Sequence, residues 1–172
     1  GGGRAGGGGA HCPTSNLKLA SGIAPVVDMR REGAAVGIGT DGSASNNDLD
    51  MFEEMRLAAL LPNGVSGDPT AMPAIEAFAM ATIEGARALH LDHLIGSLEV
   101  GKRADVATVD VGGPHATPQY RLSRQNIYSH LVYAARSSDV QDVMVDGRWL
   151  LRGRQLQTID LGAVHREAEA VA

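Results

Sequence analysis

One cysteine, Cys12, is all this sequence has, so no disulfide can close within it. That usage suits a reducing compartment, and a cytoplasmic setting is the expectation. Aromatic residues are nearly absent, with one Trp, three Tyr and two Phe among 172 residues. A core must therefore come from Ala, Val, Leu, Ile and Met, which suits helices laid on a parallel sheet better than a free-standing sandwich. No apolar run approaches the roughly 20 residues that cross a bilayer, and no basic-then-apolar leader opens the chain. A large surplus of one charge is also missing. The formal charge is −5 and the Lys and Arg residues are scattered, which argues against nucleic acid or an anionic membrane as partner.

What is present falls into segments. Residues 1–10 hold seven of the 22 glycines and read as a disordered or aberrant stretch. Dense patterning begins at His11. Gly22 to Glu32 carries Ile23, Val26, Val27 and Met29 at helical spacing, with Pro25 placed for a first turn, and Gly33 closes it. Ala35 to Thr40 reads as a strand. Asp50 to Leu61 is helical, with Met51, Met55 and Ala58 on one face, and Pro62-Asn63-Gly64 ends it before a loop at Val65 to Pro69. Thr70 is placed to cap a helix from about Met72, and Thr82 a second one through Leu89. Near residue 95 the character changes. Ala104 to Val109 alternates as a strand, Val140 to Leu151 forms a hairpin about Asp146-Gly147, and Leu161 to Ala172 is a helix capped by Asp160.

The densest chemical signal is Val36-Gly37-Ile38-Gly39-Thr40-Asp41-Gly42, an apolar strand ending in a carboxylate, followed by the polar stretch Ser43 to Asn47. Gly37 to Gly42 spells a G-x-G-x-x-G. A dinucleotide site needs a helix to begin at once and an acidic residue about twenty positions on. The polar stretch intervenes here and Asp41 would repel an anion, which disfavours that reading. Two others stay open: Asp41 as a metal ligand and general base at a strand end, or Asp41 as a structural residue bonding the amides of Ser43 and Ala44. Six histidines form no H-x-H pair. His90 and His93 have a spacing that can chelate but the look of a solvated surface. His11 reads as a buried, hydrogen-bonded residue and His130 as a packing residue. Cys12 and His11 are adjacent on an extended chain and point apart, so they make a poor thiolate dyad.

The run His11-Cys12-Pro13-Thr14-Ser15-Asn16-Leu17-Lys18-Leu19-Ala20-Ser21-Gly22-Ile23-Ala24-Pro25-Val26 resembles the penultimate strand and loop of the amidohydrolase superfamily, in its chlorohydrolase/deaminase branch. Val36 to Asp41 is similar to that family's last barrel strand. Asn46-Asn47-Asp48-Leu49-Asp50-Met51 with Glu53-Glu54-Met55-Arg56 is similar to the 5-methylthioadenosine/S-adenosylhomocysteine deaminases. Ile95 to Asp105 resembles the joint where such chains leave the barrel for a β-sandwich, and Val140 to Leu151 that sandwich's last hairpin.

The resemblance implies an α/β fold: the last strands and helices of a metal-dependent (β/α)8 barrel over residues 11–95, a β-sandwich portion over 96–160, and a tail or helix over 161–172. It implies Asp41 as metal ligand and proton shuttle, and gives Ser45 a place where relatives position substrate or where it merely steadies the loop. Ser15 and Asn16 are expected to hold the strand-end loop by side-chain to backbone bonds. Glu53, Glu54 and Arg56 are expected on a solvated or subunit-facing helix surface. The implied cofactor is a divalent metal, zinc or alternatively iron. The implied chemistry is hydrolytic deamination of an adenine ring in a small purine nucleoside thioether. The family's other metal ligands would precede His11, so the chain is expected to be an inactive C-terminal fragment of a homo-oligomeric enzyme. Two alternatives are a sister hydrolase of guanine-like or triazine rings and a non-catalytic dimerisation module.

Overall fold

A computed structural model describes residues 7–117 and 126–171. Strands β1 (Gly8–His11) and β2 (Ala35–Ile38) pair in parallel, with Gly8 opposite Ala35 and His11 opposite Ile38. The crossover that a parallel pair requires carries two short helices, α1 (Pro13–Lys18) and α2 (Val26–Arg31). Pro25 stands just before α2 rather than inside its first turn. The glycine-rich start is thus structured from Gly8 onward, contrary to the expectation for residues 1–10, of which 1–6 lie outside the described residues. The reason is steric. Helix α6 (Ile83–Ala88) crosses the pair so closely that a Cβ on Gly8 would overlap the Ala88 carbonyl, and one on Gly37 would sit 2.8 Å from Gly85 Cα. These glycines are packing residues.

After β2 the chain turns at once into α3 (Ser43–Asn46), a single helical turn where a loop was expected. Helix α4 (Met51–Ser66) follows, with Asp50 Oδ1 accepting from the Phe52 amide at 2.8 Å. It runs straight through Pro62, which was expected to end it. Proline removes one helical hydrogen bond, but side chains hold the last turn together. Ser66 Oγ donates to the Pro62 carbonyl at 2.8 Å, while Asn63 donates to the Pro69 carbonyl and accepts from the Met72 amide. Gly67, at φ 68°, terminates the helix. Pro73, not Thr70, precedes α5 (Ala74–Met80), since Thr70 is engaged with Asp68. Thr82 precedes α6 but turns its hydroxyl back to the Phe78 carbonyl instead of capping.

The core collects Val26, Val36, Met55, Ala58, Ala59, Met72, Ala77, Met80 and Val132. Small Ala faces let the helices approach and flexible Met fills what remains, the solution left open by scarce aromatics. Val132 lies in a segment expected to be β-sandwich. Helix α7 (Ile127–Ser129) and the wide turn after it, closed by Ala135 N donating to His130 O, pack instead on α4 and α5. Arg56 donates to the carbonyls of Val132 and Ala135, the latter at 2.7 Å, and the rings of Phe78 and Tyr128 lie 5.3 Å apart. Residues 126–135 therefore share the helical core rather than a separate β layer.

The second sheet is an antiparallel meander of β3 (Val106–Val109), β4 (Val140–Val145), β5 (Arg148–Arg152) and β6 (Gln155–Leu156). Asp146 and Gly147 both have positive φ, the tight turn that Asp-Gly favours. Helix α8 (Leu161–Ala170) is capped by Asp160, which accepts from the Ala163 amide. Among the described residues no helix is long and apolar enough to cross a membrane.

Candidate functional site

Asp41 stands three residues beyond β2, at the carboxyl end of the strand, and its carboxylate is exposed. Its backbone is left-handed at φ 61°. Asn47 (φ 82°) and Leu49 (φ 55°) also have positive φ on the far side of α3. Aspartate and asparagine tolerate it, but a leucine there is a genuine outlier. Such strain persists where surrounding contacts impose it.

The contacts are specific. Ser15 Oγ, from buried Ser15 on α1, donates to Asp41 Oδ2 at 2.7 Å. Ser45 Oγ, from α3, lies 2.8 Å from the same oxygen and 2.9 Å from the Gly42 carbonyl. The Ser15 hydroxyl, then that of Ser45, then the Gly42 amide hold the Asp41 carboxyl below the usual carboxylate range, so it is ionised at neutral pH. Both hydroxyls converge on Oδ2 and none reaches Oδ1 among the described residues. Ser15 thus acts on the carboxylate directly, where side-chain to backbone bonding was expected.

Behind this carboxylate lies a second one. Glu54 is only 1% exposed, which corrects the expectation of a solvated surface; Glu53 is exposed as expected. Glu54 Oε2 accepts from the Thr14 amide at 3.1 Å, and Oε1 accepts from Asn46 Nδ2. Asn46 Nδ2 also donates to the Thr40 carbonyl at 2.9 Å, while its Oδ1 accepts from the Leu49 amide at 3.0 Å. The sequence did hold a signal for this burial. Met51, Glu54, Met55 and Ala58 follow the i, i+3, i+4, i+7 pattern of an apolar stripe, exposed at Met51 and buried from Glu54 on, with a carboxylate standing in it.

The remaining candidates separate from this cluster. His11 is buried as expected, its Nδ1 meets no hydrogen-bond partner among the described residues, and burial pushes its pKa down. The Cys12 thiol is pushed up by burial and then by the charges of Asp41 and Glu54, which opposes a thiolate nucleophile. His115 Nε2 lies 2.8 Å from Asp139 Oδ2 beside a cleft of about 270 Å³ that His130 also lines. His90 and His93 gain no third ligand, since the described residues contain no group of three or more His, Cys, Asp or Glu able to hold a metal. The helical turn starting directly after Gly42 restores one element of a dinucleotide loop, but it is four residues long and opens beside an ionised Asp41. An anion would be repelled there.

Comparison with known proteins places this geometry. The amidohydrolase family matches residues 4–150. The 5-methylthioadenosine/S-adenosylhomocysteine deaminase of Desulforudis audaxviator is 55% identical over 98% of this chain and 38% of that protein. Among solved structures, a zinc-bound adenosine deaminase from Xanthomonas campestris superposes with a TM-score of 0.88 at 44% identity, over 95% of this chain and 36% of the other. The zinc complex of atrazine chlorohydrolase from Arthrobacter aurescens gives 0.82 at 28% identity, over 94% and 35%. The chain thus spans less than two fifths of the length of each of these relatives. A match over most of its residues, joined to a carboxylate at the end of a parallel strand, carries one conclusion: the chain belongs to the amidohydrolase family.

Proposed function

We propose that this chain contributes to a metal-dependent deaminase that hydrolyses the exocyclic amine of an adenine ring in adenosine-derived thioethers, releasing ammonia. The observation that carries the reading is Asp41, an ionised carboxylate at the carboxyl end of β2, turned by Ser15 and Ser45 so that only Oδ2 takes hydroxyl donors. In an α/β barrel that end of the strands is where catalytic groups gather, and on this proposal β1 and β2 are the last two barrel strands and β3 to β6 part of a β-sandwich. An anionic oxygen donor suits zinc or another divalent ion. A single carboxylate is one ligand where a catalytic zinc takes about three from protein, so the others would come from sequence preceding this chain.

A divalent ion held there would supply a water of lowered pKa as the nucleophile. The part left to this chain is carried by Asp41. Its carboxylate would hold the ion through one oxygen and take up a proton from the nucleophilic water. Ser15, seated in the buried start of α1, keeps that carboxylate in one rotamer. Ser45 sits on the exposed side of it, and its hydroxyl is the group placed to trade Asp41 for a substrate atom.

A chimera tests this. The portion of the Desulforudis audaxviator relative that precedes the matched region, followed by residues 4–172 of this chain, should release ammonia from S-adenosylhomocysteine when supplied with zinc. Asp41→Asn should abolish the release, and the 172-residue chain by itself should show none. Zinc-dependent turnover by the chain alone would overturn the need for outside ligands. A chimera that ignores adenine nucleosides yet hydrolyses guanine or a triazine would move the assignment to a sister reaction, which the similarity to the atrazine enzyme motivates.

A further inference from the structure

We infer that Glu54 is a positioning residue that sets the geometry of Asp41 through a closed ring of hydrogen bonds. The ring can be walked atom by atom. From Glu54 Oε1 it passes to Asn46 Nδ2 and on to the Thr40 carbonyl, one peptide from Asp41. From Glu54 Oε2 it passes to the Thr14 amide, and the next residue, Ser15, returns to Asp41 Oδ2. One arm therefore fixes the Asp41 backbone and the other its carboxylate, and both start from a side chain 1% exposed.

Three features argue that the ring acts on Asp41 and does not merely fill the core. A buried carboxylate with only neutral donors is an expensive way to occupy a helix stripe that Met51, Met55 and Ala58 otherwise keep apolar. The same Asn46 that takes Glu54 and Thr40 also accepts from the amide of Leu49, so the left-handed residues on both sides of α3 are tied to one side chain. Lys18, the nearest cation on α1, donates to the Ala44 carbonyl and to Asn47, leaving the ring built from neutral donors. The inference rests on the metal reading of Asp41 only for its consequence, an Asp41 oxygen held clear of hydroxyl donors for an ion to take.

Three variants of the full 172-residue chain test it by nuclear magnetic resonance. Glu54→Gln turns one of the two accepting oxygens into an amide donor and so breaks one arm, Ser15→Ala opens the contact to Oδ2, and Arg56→Gln alters the opposite side of α4 as a control. Hydrogen exchange at the Asn46 and Asn47 amides should speed about tenfold or more in Glu54→Gln, with α5 unchanged. The Asp41 amide-to-Hα coupling, which reports its left-handed φ, should shift in Glu54→Gln and hold in Arg56→Gln. Ser15→Ala, a small change that spares the fold, should move the Asp41 Cγ resonance. An unchanged Asp41 coupling and Cγ resonance in folded Glu54→Gln and Ser15→Ala would overturn the inference, as would a uniform rise in exchange across α5. Should Glu54→Gln fail to fold, Asn46→Ala breaks the same arm and carries the same two outcomes. A separate zinc titration of the unsubstituted chain, read at Asp41 Cγ, decides the metal reading on its own, so the two can fail independently.

Discussion

Replacing Gly37 by alanine puts the packing of β2 against α6 to a quantitative test. The new Cβ would sit 2.8 Å from Gly85 Cα and 3.6 Å from its nitrogen, so both sides of the clash are backbone. Carbon atoms in contact lie about 3.5–4.0 Å apart, so strand and helix would have to part by roughly 0.7–1.2 Å. Overpacking of this kind costs about 1–3 kcal/mol, and the stiffer unfolded chain returns about 0.4–1 kcal/mol. Because no rotamer can relieve a backbone clash, the upper part of the range applies, a net loss of about 1–2.5 kcal/mol. For a urea slope of about 1–3 kcal/mol per molar, the unfolding midpoint should fall by roughly 1 M with the slope unchanged. Gly85→Ala is the control. Its Cβ would lie 3.9 Å from Gly37 Cα and meet only the Met80 carbonyl, at 3.1 Å, while gaining helix propensity. Equal losses in the two variants, or an unmoved midpoint in Gly37→Ala, would refute the close approach as the reason for glycine in β2.

Two further outcomes follow from single contacts. Arg56→Gln strips the donors from the Val132 and Ala135 carbonyls and should destabilise the chain by about 1.5–3 kcal/mol, with hydrogen exchange rising at Ala135 and not between β4 and β5; an unchanged melting temperature would contradict the burial of that turn. The His11 pKa is lowered by burial, so below the ordinary value of 6.5 the unfolded chain takes up a proton first. Stability should therefore decline as pH falls from 6.5 toward the folded-state value, with a slope of up to about 1.4 kcal/mol per pH unit, and His11→Gln should flatten it. A slope that survives the substitution would place the titration elsewhere.

What the sequence disclosed and what it hid divide mainly by the reach of the contacts involved. Local rules were legible: the strand leading to Asp41, the capping Asp160 and the Asp146-Gly147 turn each depend on neighbours a few residues away. Thr70 and Thr82 were lost as caps to near neighbours, Asp68 and the Phe78 carbonyl, but the larger misreadings depend on more distant partners. Gly8 looks like linker until α6, some eighty residues on, is laid across it. Pro62 looks like a stop until Asn63 is seen to bridge to Pro69 and Met72. Residues 126–135 follow a change in composition and yet deliver Val132 and Tyr128 to the helical core. Glu54 stands between these cases. Its helical phase marked it as buried, but one carboxylate between two methionines reads as noise until Thr14 and Asn46 come into place around it.

The choice of donors around Asp41 bears on what the carboxylate can do. A lysine or arginine at Oδ2 would lower the pKa as Ser15 and Ser45 do, but it would also cancel the negative charge and repel a divalent cation by Coulomb's law. Neutral hydroxyls fix one oxygen and leave the full charge in place. The same logic explains Lys18. It lies within reach of α3, yet its ammonium is spent on the Ala44 carbonyl and Asn47, away from Asp41. Asp41 takes one loop amide, that of Gly42, as a structural loop residue would, but two hydroxyl donors with no paired cation among the described residues go beyond that need. On the proposed role each of these features is required, and the ring from Glu54 supplies the orientation without adding a positive charge.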